Sequence, residues 1–171
     1  IPDWTVVLNT LKEKSGWTTN LPKGTGMGIG IAEEFGTVVG MVATVTVSKR
    51  GQLMVDKITA AVDCGHLINT AIAEGQSESA VVYALSACLQ GEATISGGQV
   101  VENNFDTFKV LRINEMPVVE THWALTGGDK WGGLGEPGLP PVAAAVANAI
   151  FYATGKRVRQ MPFVHTDISW S

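Results

Sequence analysis

Residues 139–154 are apolar on every side at helical spacing and dominated by alanine, and no other feature restricts the fold as strongly. A helix without a polar face is stable only when other elements cover it all round, so the chain must surround this one with a sheet or further helices. Gly155 then stops it, because glycine adopts the left-handed conformation that closes a helix. Directly ahead lies Gly132-Gly133-Leu134-Gly135-Glu136-Pro137-Gly138, a lone carboxylate on a glycine-lined turn. Glycines have no Cβ to keep a bound group away from the backbone, so such a turn can press Glu136 against a ligand. Pro137 fits the first helical position, where its missing N–H is not required. Glu136 is then expected at the positive end of the helix dipole, which favours the carboxylate form and suits it to act as a base. The same residues also read as a connector whose acid only caps the helix.

The rest of the chain reads as α+β. Asp3 is expected to cap a first helix with Trp4, Val7 or Leu8, and Leu11 on one face, Lys12, Glu13 and Lys14 outside, and Gly16 at its end. The glycines at 24, 26, 28 and 30 recur every second residue, which matches one face of a strand and not the G-x-G-x-x-G dinucleotide fingerprint. Residues 37–47 and 53–62 are rich in β-branched side chains and flank the turn Lys49-Arg50-Gly51-Gln52, so they predict an antiparallel hairpin. From residue 67 to about 90 the pattern is helical. Ile68, Ile72, Ser79 or Ala80, and Tyr83 define its inward stripe, with Gln76 on that stripe. A buried amide needs partners for its donors and its carbonyl, which an ordinary backbone contact or a polar cofactor could supply. A second short hairpin is expected at residues 92–95 and 99–101 around Gly97-Gly98, and further strands at residues 111–113 and 118–125. Arg112 and Glu115 belong to structure in this reading. The architecture expected is antiparallel hairpins packed with two or three buried helices, without repeats or linkers, as one domain over residues 1–171.

Charge and cysteine usage exclude several functions. A net charge of −4 argues against nucleic-acid binding, which needs a basic face to neutralise phosphates, and Lys156, Arg157 and Arg159 read as a solvated helix end. The apolar stretch 142–153 is too short to span a bilayer and contains Asn148, so no transmembrane segment is expected. Cys64 and Cys88 make neither a disulfide framework nor a C-x-x-C pair, and no cysteine quartet for an iron–sulfur cluster is present. His66, His122 and His165 have no ligand spacing, so Cys64 reads as a small buried residue ending a strand and no metal ligands are assigned.

Residues 132–162, GGLGEPGLPPVAAAVANAIFYATGKRVRQMP, resemble the C-terminal signature of the large molybdenum-binding subunit of molybdenum hydroxylases, the xanthine dehydrogenase and aldehyde oxidase relatives. Further blocks agree. These are Val62-Asp63-Cys64-Gly65 with Asn69 and Gln76, then Asn104-Phe105, Leu111-Arg112 and Asn114-Glu115-Met116-Pro117, and the upstream Ala32-Glu33-Glu34-Phe35-Gly36. The resemblance is nearest the isoquinoline 1-oxidoreductase β-subunit branch. Thr70 stands where relatives often have proline, and Ser79-Ala80 where many have two glycines.

The resemblance implies a molybdopterin-binding domain that is the C-terminal fragment of a longer subunit. It implies hydroxylation of an aldehyde or N-heteroaromatic substrate with water as the oxygen source. Glu136 matches the family's base, Gln76 its cofactor-contacting glutamine, and Gly135 a position where the metal's ligands approach the backbone. The implied cofactor is a molybdenum–pterin, molybdopterin or its cytosine dinucleotide form. The implied partners are the remaining N-terminal part of the same subunit, an iron–sulfur small subunit and a small-molecule substrate. A soluble protein of the bacterial cytoplasm or periplasm is expected. The alternative is a non-catalytic folded module that completes and stabilises a larger oxidoreductase and is inactive alone.

Overall fold

The computed structural model describes residues 3–129 and 131–171. Helix α1, Trp4–Lys14, starts where Asp3 accepts a 2.7 Å hydrogen bond from Thr5 N and ends at Ser15, with Gly16 in the left-handed region. Val7 and Leu11 are its buried residues, while Trp4 and Leu8 stay half exposed. Strands β1, Thr25–Glu34, β2, Thr37–Val47, and β3, Leu53–Asp63, pair antiparallel in succession. The expected β2–β3 hairpin is therefore present. Its turn closes through Ser48 N donating to Gln52 O, with Gly51 at φ 82°. A bulge lies between Thr44 and Val45.

Helix α2, Thr70–Leu89, begins at Asn69, whose side-chain oxygen accepts from Ile72 N at 3.0 Å. Its orientation corrects the sequence expectation. The buried residues are Ala73, Ser77, Ala80, Val81, Ala84, Leu85 and Cys88, whereas Ile68, Ile72 and Tyr83 are 91%, 67% and 69% exposed and Gln76 is exposed with them. Both faces of this helix are apolar enough to pack. The alanine-rich face lets the helix axis come nearer the sheet, and that face won.

The second hairpin is short, β4, Ile95–Ser96, with β5, Gln99–Val100, as expected. Residues 111–113 are not a strand. Ile113–Glu115 form a single 3₁₀ turn in which Arg112 N donates to the Glu115 carboxylate at 2.7 Å, so this pair is a local cap. Strand β6, Val118–Trp123, then joins the sheet beside β3 and parallel to it, giving the order β1-β2-β3-β6. Parallel neighbours need a long crossover, which α2 and residues 90–117 supply, so the sheet is mixed and not purely antiparallel.

Helix α3, Pro140–Thr154, lies on the same sheet face as α2, and α1 covers the other. Gly155 ends it at φ 77°. The alternating glycines of β1 have their reason here: Cβ atoms at Gly26, Gly28 and Gly30 would stand 2.1–2.2 Å from the carbonyl oxygens of Ala149, Ala145 and Pro141. Over residues 26–30 the strand has no side chains on that face because the helix backbone occupies the space. Asn148 Nδ2 also donates to Ile29 O at 3.0 Å, tying the helix to β1 directly.

Candidate functional site

The parallel pair fixes where a site can form. Val62 and Trp123 are register partners at the C-terminal ends of β3 and β6, so the loops leaving both strands and the first turns of α2 converge at one end of the sheet. Ligand crevices in α/β sheets open at the carboxyl ends of parallel strands for the same reason. Residues 64–69 and 124–139 build this end.

Asp63 anchors it. The residue is fully buried, and its carboxylate accepts from the Asp3 and Gly65 backbone N–H groups at 3.0 Å each, from Thr126 N at 3.1 Å and from Thr126 Oγ1 at 2.6 Å. Burial pushes its pKa up. The hydrogen bonds from the Thr126 hydroxyl and from the backbone of Asp3, Gly65 and Thr126 outweigh burial and hold it below its ordinary value of 3.8. This junction was missed as a site element from sequence. Its signal was an acid closing a β-branched strand, with Thr126 in a distant Thr-Gly-Gly.

The glycine run is stitched to the same platform. Gly132 N donates to Cys64 O at 2.9 Å, Gly133 N to Phe35 O at 3.0 Å, and Thr37 Oγ1 to Gly133 O at 2.6 Å. A Cβ at Gly132 would stand 2.1 Å from Thr37 Oγ1, so here glycine is needed for packing within the chain. A His66 ring nitrogen lies 2.6 Å from Gly128 O, and the ring meets Trp131 at 4.9 Å between centroids. Cys64 is buried, donates through Sγ to His66 O at 3.2 Å, and has its thiol pKa raised by burial, as suits a structural cysteine.

Glu136 is not adjacent to a helical first residue as the sequence suggested. Leu139 N donates to Glu136 O at 2.8 Å, so residues 136–139 form a turn of their own, and Pro140 and Pro141 take the first helical positions. Pro137 is a turn residue because the Pro-Pro pair three residues later suits the helix start better. The turn sits on α2. Pro137 and Gly138 are buried, and a Cβ at Gly138 would lie 2.9 Å from the Ala80 methyl. Gln76 stands one helical step from both Ala73 and Ala80 on α2, next to the surface that this turn covers. Both Glu136 and Gln76 are exposed, and neither side chain makes a hydrogen bond or ion pair among the described residues. A Cβ added at Gly135 would meet nothing within 4 Å, and the same is true of Gly75 beside Gln76. Gly135 also has no positive φ to require glycine. The chain's own packing therefore gives no reason for glycine at 135, in contrast to 132.

No helix among the described residues is long and apolar enough to cross a membrane.

Residues 9–117 match the molybdopterin cofactor-binding domain family. Over 170 residues the chain is 37% identical to the membrane-bound aldehyde dehydrogenase (pyrroloquinoline-quinone) of Gluconacetobacter polyoxogenes, covering 95% of this chain and 22% of that protein. It is 28% identical to the isoquinoline 1-oxidoreductase subunit beta of Brevundimonas diminuta, covering 94% of this chain and 21% of that one. The fold superposes on quinoline 2-oxidoreductase from Pseudomonas putida 86 with a TM-score of 0.67 at 24% identity, over 74% of this chain and 17% of that chain. The chain thus spans about a fifth of the length of the curated relatives it matches.

Proposed function

Because this chain belongs to the molybdopterin cofactor-binding domain family, we propose that it forms one wall of the cofactor site of a molybdenum hydroxylase, with Glu136 as the general base. What supports the proposal is that Gln76 and Glu136 are both exposed and without a hydrogen-bond or ion-pair partner among the described residues, with Gln76 on the helix against which the 136–139 turn packs. Gly135 fits the cofactor as well, since the space beside it is open and only an approaching group from outside the chain gives its missing Cβ a purpose.

When bound, the molybdenum–pterin group supplies the two-electron redox chemistry. The residues of this chain do the rest. Gln76 offers two N–H donors and one carbonyl, which suits the mixed donor and acceptor edges of a pterin. Gly135 permits close approach of the metal end. Glu136 accepts the proton released as water-derived oxygen is transferred to an aldehyde carbon or to a ring carbon next to nitrogen. The Pro137–Gly138 contact with α2 holds that carboxylate in place, and positioning of this kind is what a base contributes. The cytosine dinucleotide form of the cofactor, the remaining N-terminal part of the subunit and an iron–sulfur small subunit complete the proposed assembly.

The exposure of both side chains favours a second reading for the chain by itself: it is a folded module that supplies one side of a shell and is inactive alone. Cofactor analysis of the full-length subunit and of residues 1–171 separates the readings. Stoichiometric molybdenum in the former and none in the latter is expected. The quinone in the name of the Gluconacetobacter relative makes pyrroloquinoline quinone the control in the same assay. Quinone without molybdenum in the full-length subunit would overturn the proposal. So would turnover of Glu136→Gln at the wild-type rate with full molybdenum occupancy.

A further inference from the structure

Beneath the turn that carries Glu136, between the sheet and α2, lies a small cavity with room for about one water molecule. Its lining is mostly apolar, and Ser77 and Trp123 are the lining residues with polar side-chain atoms. The indole Nε1 of Trp123, the last residue of β6, is buried and has no hydrogen-bond partner among the described residues. Ser77 on α2 is 7% exposed, and its hydroxyl shares a single 2.9 Å hydrogen bond with the Thr121 hydroxyl. Two hydroxyls bring two protons, so one of them has no acceptor in that pair. Buried donors are almost always satisfied, so the Trp123 indole in this wall needs an explanation.

The turn and the segment leading into it contribute Pro137 and Leu134 to the lining. Their carbonyl oxygens receive no hydrogen bond among the described residues, while Glu136 O and Leu139 O on either side are both taken. A water molecule accepts two hydrogen bonds and donates two, so it can take the indole N–H and a hydroxyl proton and give to free carbonyls. No protein side chain can reach into the gap, because the other residues that line it are apolar.

We propose that this cavity binds one ordered water, which accepts from Trp123 Nε1 and from the Ser77–Thr121 hydroxyl pair and donates to the carbonyls of Leu134 and Pro137. That water sets the height of the residue 136–139 turn above α2. Trp123 is thus a positioning residue. Its ring packs against the core, and its N–H, acting through the water, fixes the segment on which Glu136 is mounted. The inference goes beyond the proposed chemistry and stands whether or not Glu136 is the base.

The test uses the full-length subunit. A crystal structure at a resolution that shows solvent should contain one water at about 2.7–3.2 Å from Trp123 Nε1. An ordered cavity without that density overturns the proposal, as does an indole bonded directly to protein. In parallel, hydrogen exchange of the segment 134–139 follows the Leu139 amide that closes the turn. Trp123→Phe keeps the ring and removes the N–H, and should speed this exchange about tenfold, the equivalent of one lost hydrogen bond. Trp123→Leu, which also removes the ring, should be faster still. If Trp123→Phe exchanges like wild type and only Trp123→Leu is fast, the ring acts by packing and the water has no role. If Trp123→Phe does not fold, the wild-type density alone decides.

Discussion

A Cβ at Gly28 would stand 2.2 Å from the carbonyl oxygen of Ala145, so strand β1 and helix α3 meet backbone to backbone. The neighbouring atom is main chain of the fully buried Ala145, which cannot swing aside as a side chain would. Gly28→Ala should therefore cost about 3 kcal/mol or more, at or beyond the upper end of ordinary overpacking, and lower the melting temperature accordingly. A variant as stable as wild type would mean that α3 can shift without loss.

Gly135 should behave in the opposite way. Nothing in the chain lies within 4 Å of its would-be Cβ, so Gly135→Ala should leave folding within about 0.5 kcal/mol of wild type. In the full-length subunit it should reduce molybdenum content. Unchanged melting temperature with unchanged molybdenum would show that no group approaches this position.

Gln76→Leu separates a cofactor contact from a fold contact in the same manner. The side chain is exposed and partnerless, so its loss should not lower stability. Its N–H and carbonyl groups are gone, so pterin retention should fall by about tenfold per lost hydrogen bond to the cofactor. Equal retention in the two proteins would remove Gln76 from the site.

Glu136→Gln keeps size and shape but accepts no proton, so kcat should drop by about 10²–10⁴-fold with folding and molybdenum content preserved. A carboxylate that only caps or solvates the turn would give a change in stability of about 1 kcal/mol or less and normal turnover.

Asp63 sets the acid limb of stability. Its folded pKa is lowered, so its contribution is fully present above the ordinary value of 3.8 and is lost as pH falls through the lower folded value. Asp63→Asn should cost about 3 kcal/mol near neutral pH, because an amide presents a donor to a shell made of donors. The variant should also lose less stability than wild type as pH falls below about 4. Urea unfolding at a series of pH values reads both effects, and parallel acid limbs in the two proteins would show that Asp63 is not the titrating group.

The hairpin of β2 and β3, the capped α1 and the end of α3 were legible because each depends on local pattern: β-branched runs about a glycine turn, Asp3 before an apolar stripe, Gly155 after a long one. What failed depended on distant neighbours. The stripe through Ile72, Gln76 and Tyr83 has a helical period, but periodicity does not say which of two apolar faces meets the sheet, and Ala73, Ala80 and Ala84 lie on the face that does. The parallel pairing of β6 with β3 could not be read from either strand, since it follows from the crossover. Pro137 and Pro140 compete for one role, and only the Glu136–Leu139 turn decides between them. Glu136 and Gln76 stood out from the glycine-lined turn and the helical stripe, while their roles and that of Gly135 came from the family resemblance. Asp63 and Trp123 acquire their importance from partners on other elements, Thr126 and Ser77 among them, which no spacing reveals.

The shell of Asp63 also imposes an order of events on a chain emerging from the ribosome. Its carboxylate is synthesised 63 residues before Thr126, which supplies two of its four hydrogen bonds. Until then the acid can stay ionised only by keeping water, so the end of β3 cannot be sealed while the nascent chain is short. A chain released at residue 117 should accordingly leave the amides near Asp63 open to exchange while the β2–β3 turn is already protected. Completing the Asp63 end of the sheet is thereby one of the last acts of folding, which leaves that end open during the interval in which a cofactor could be loaded.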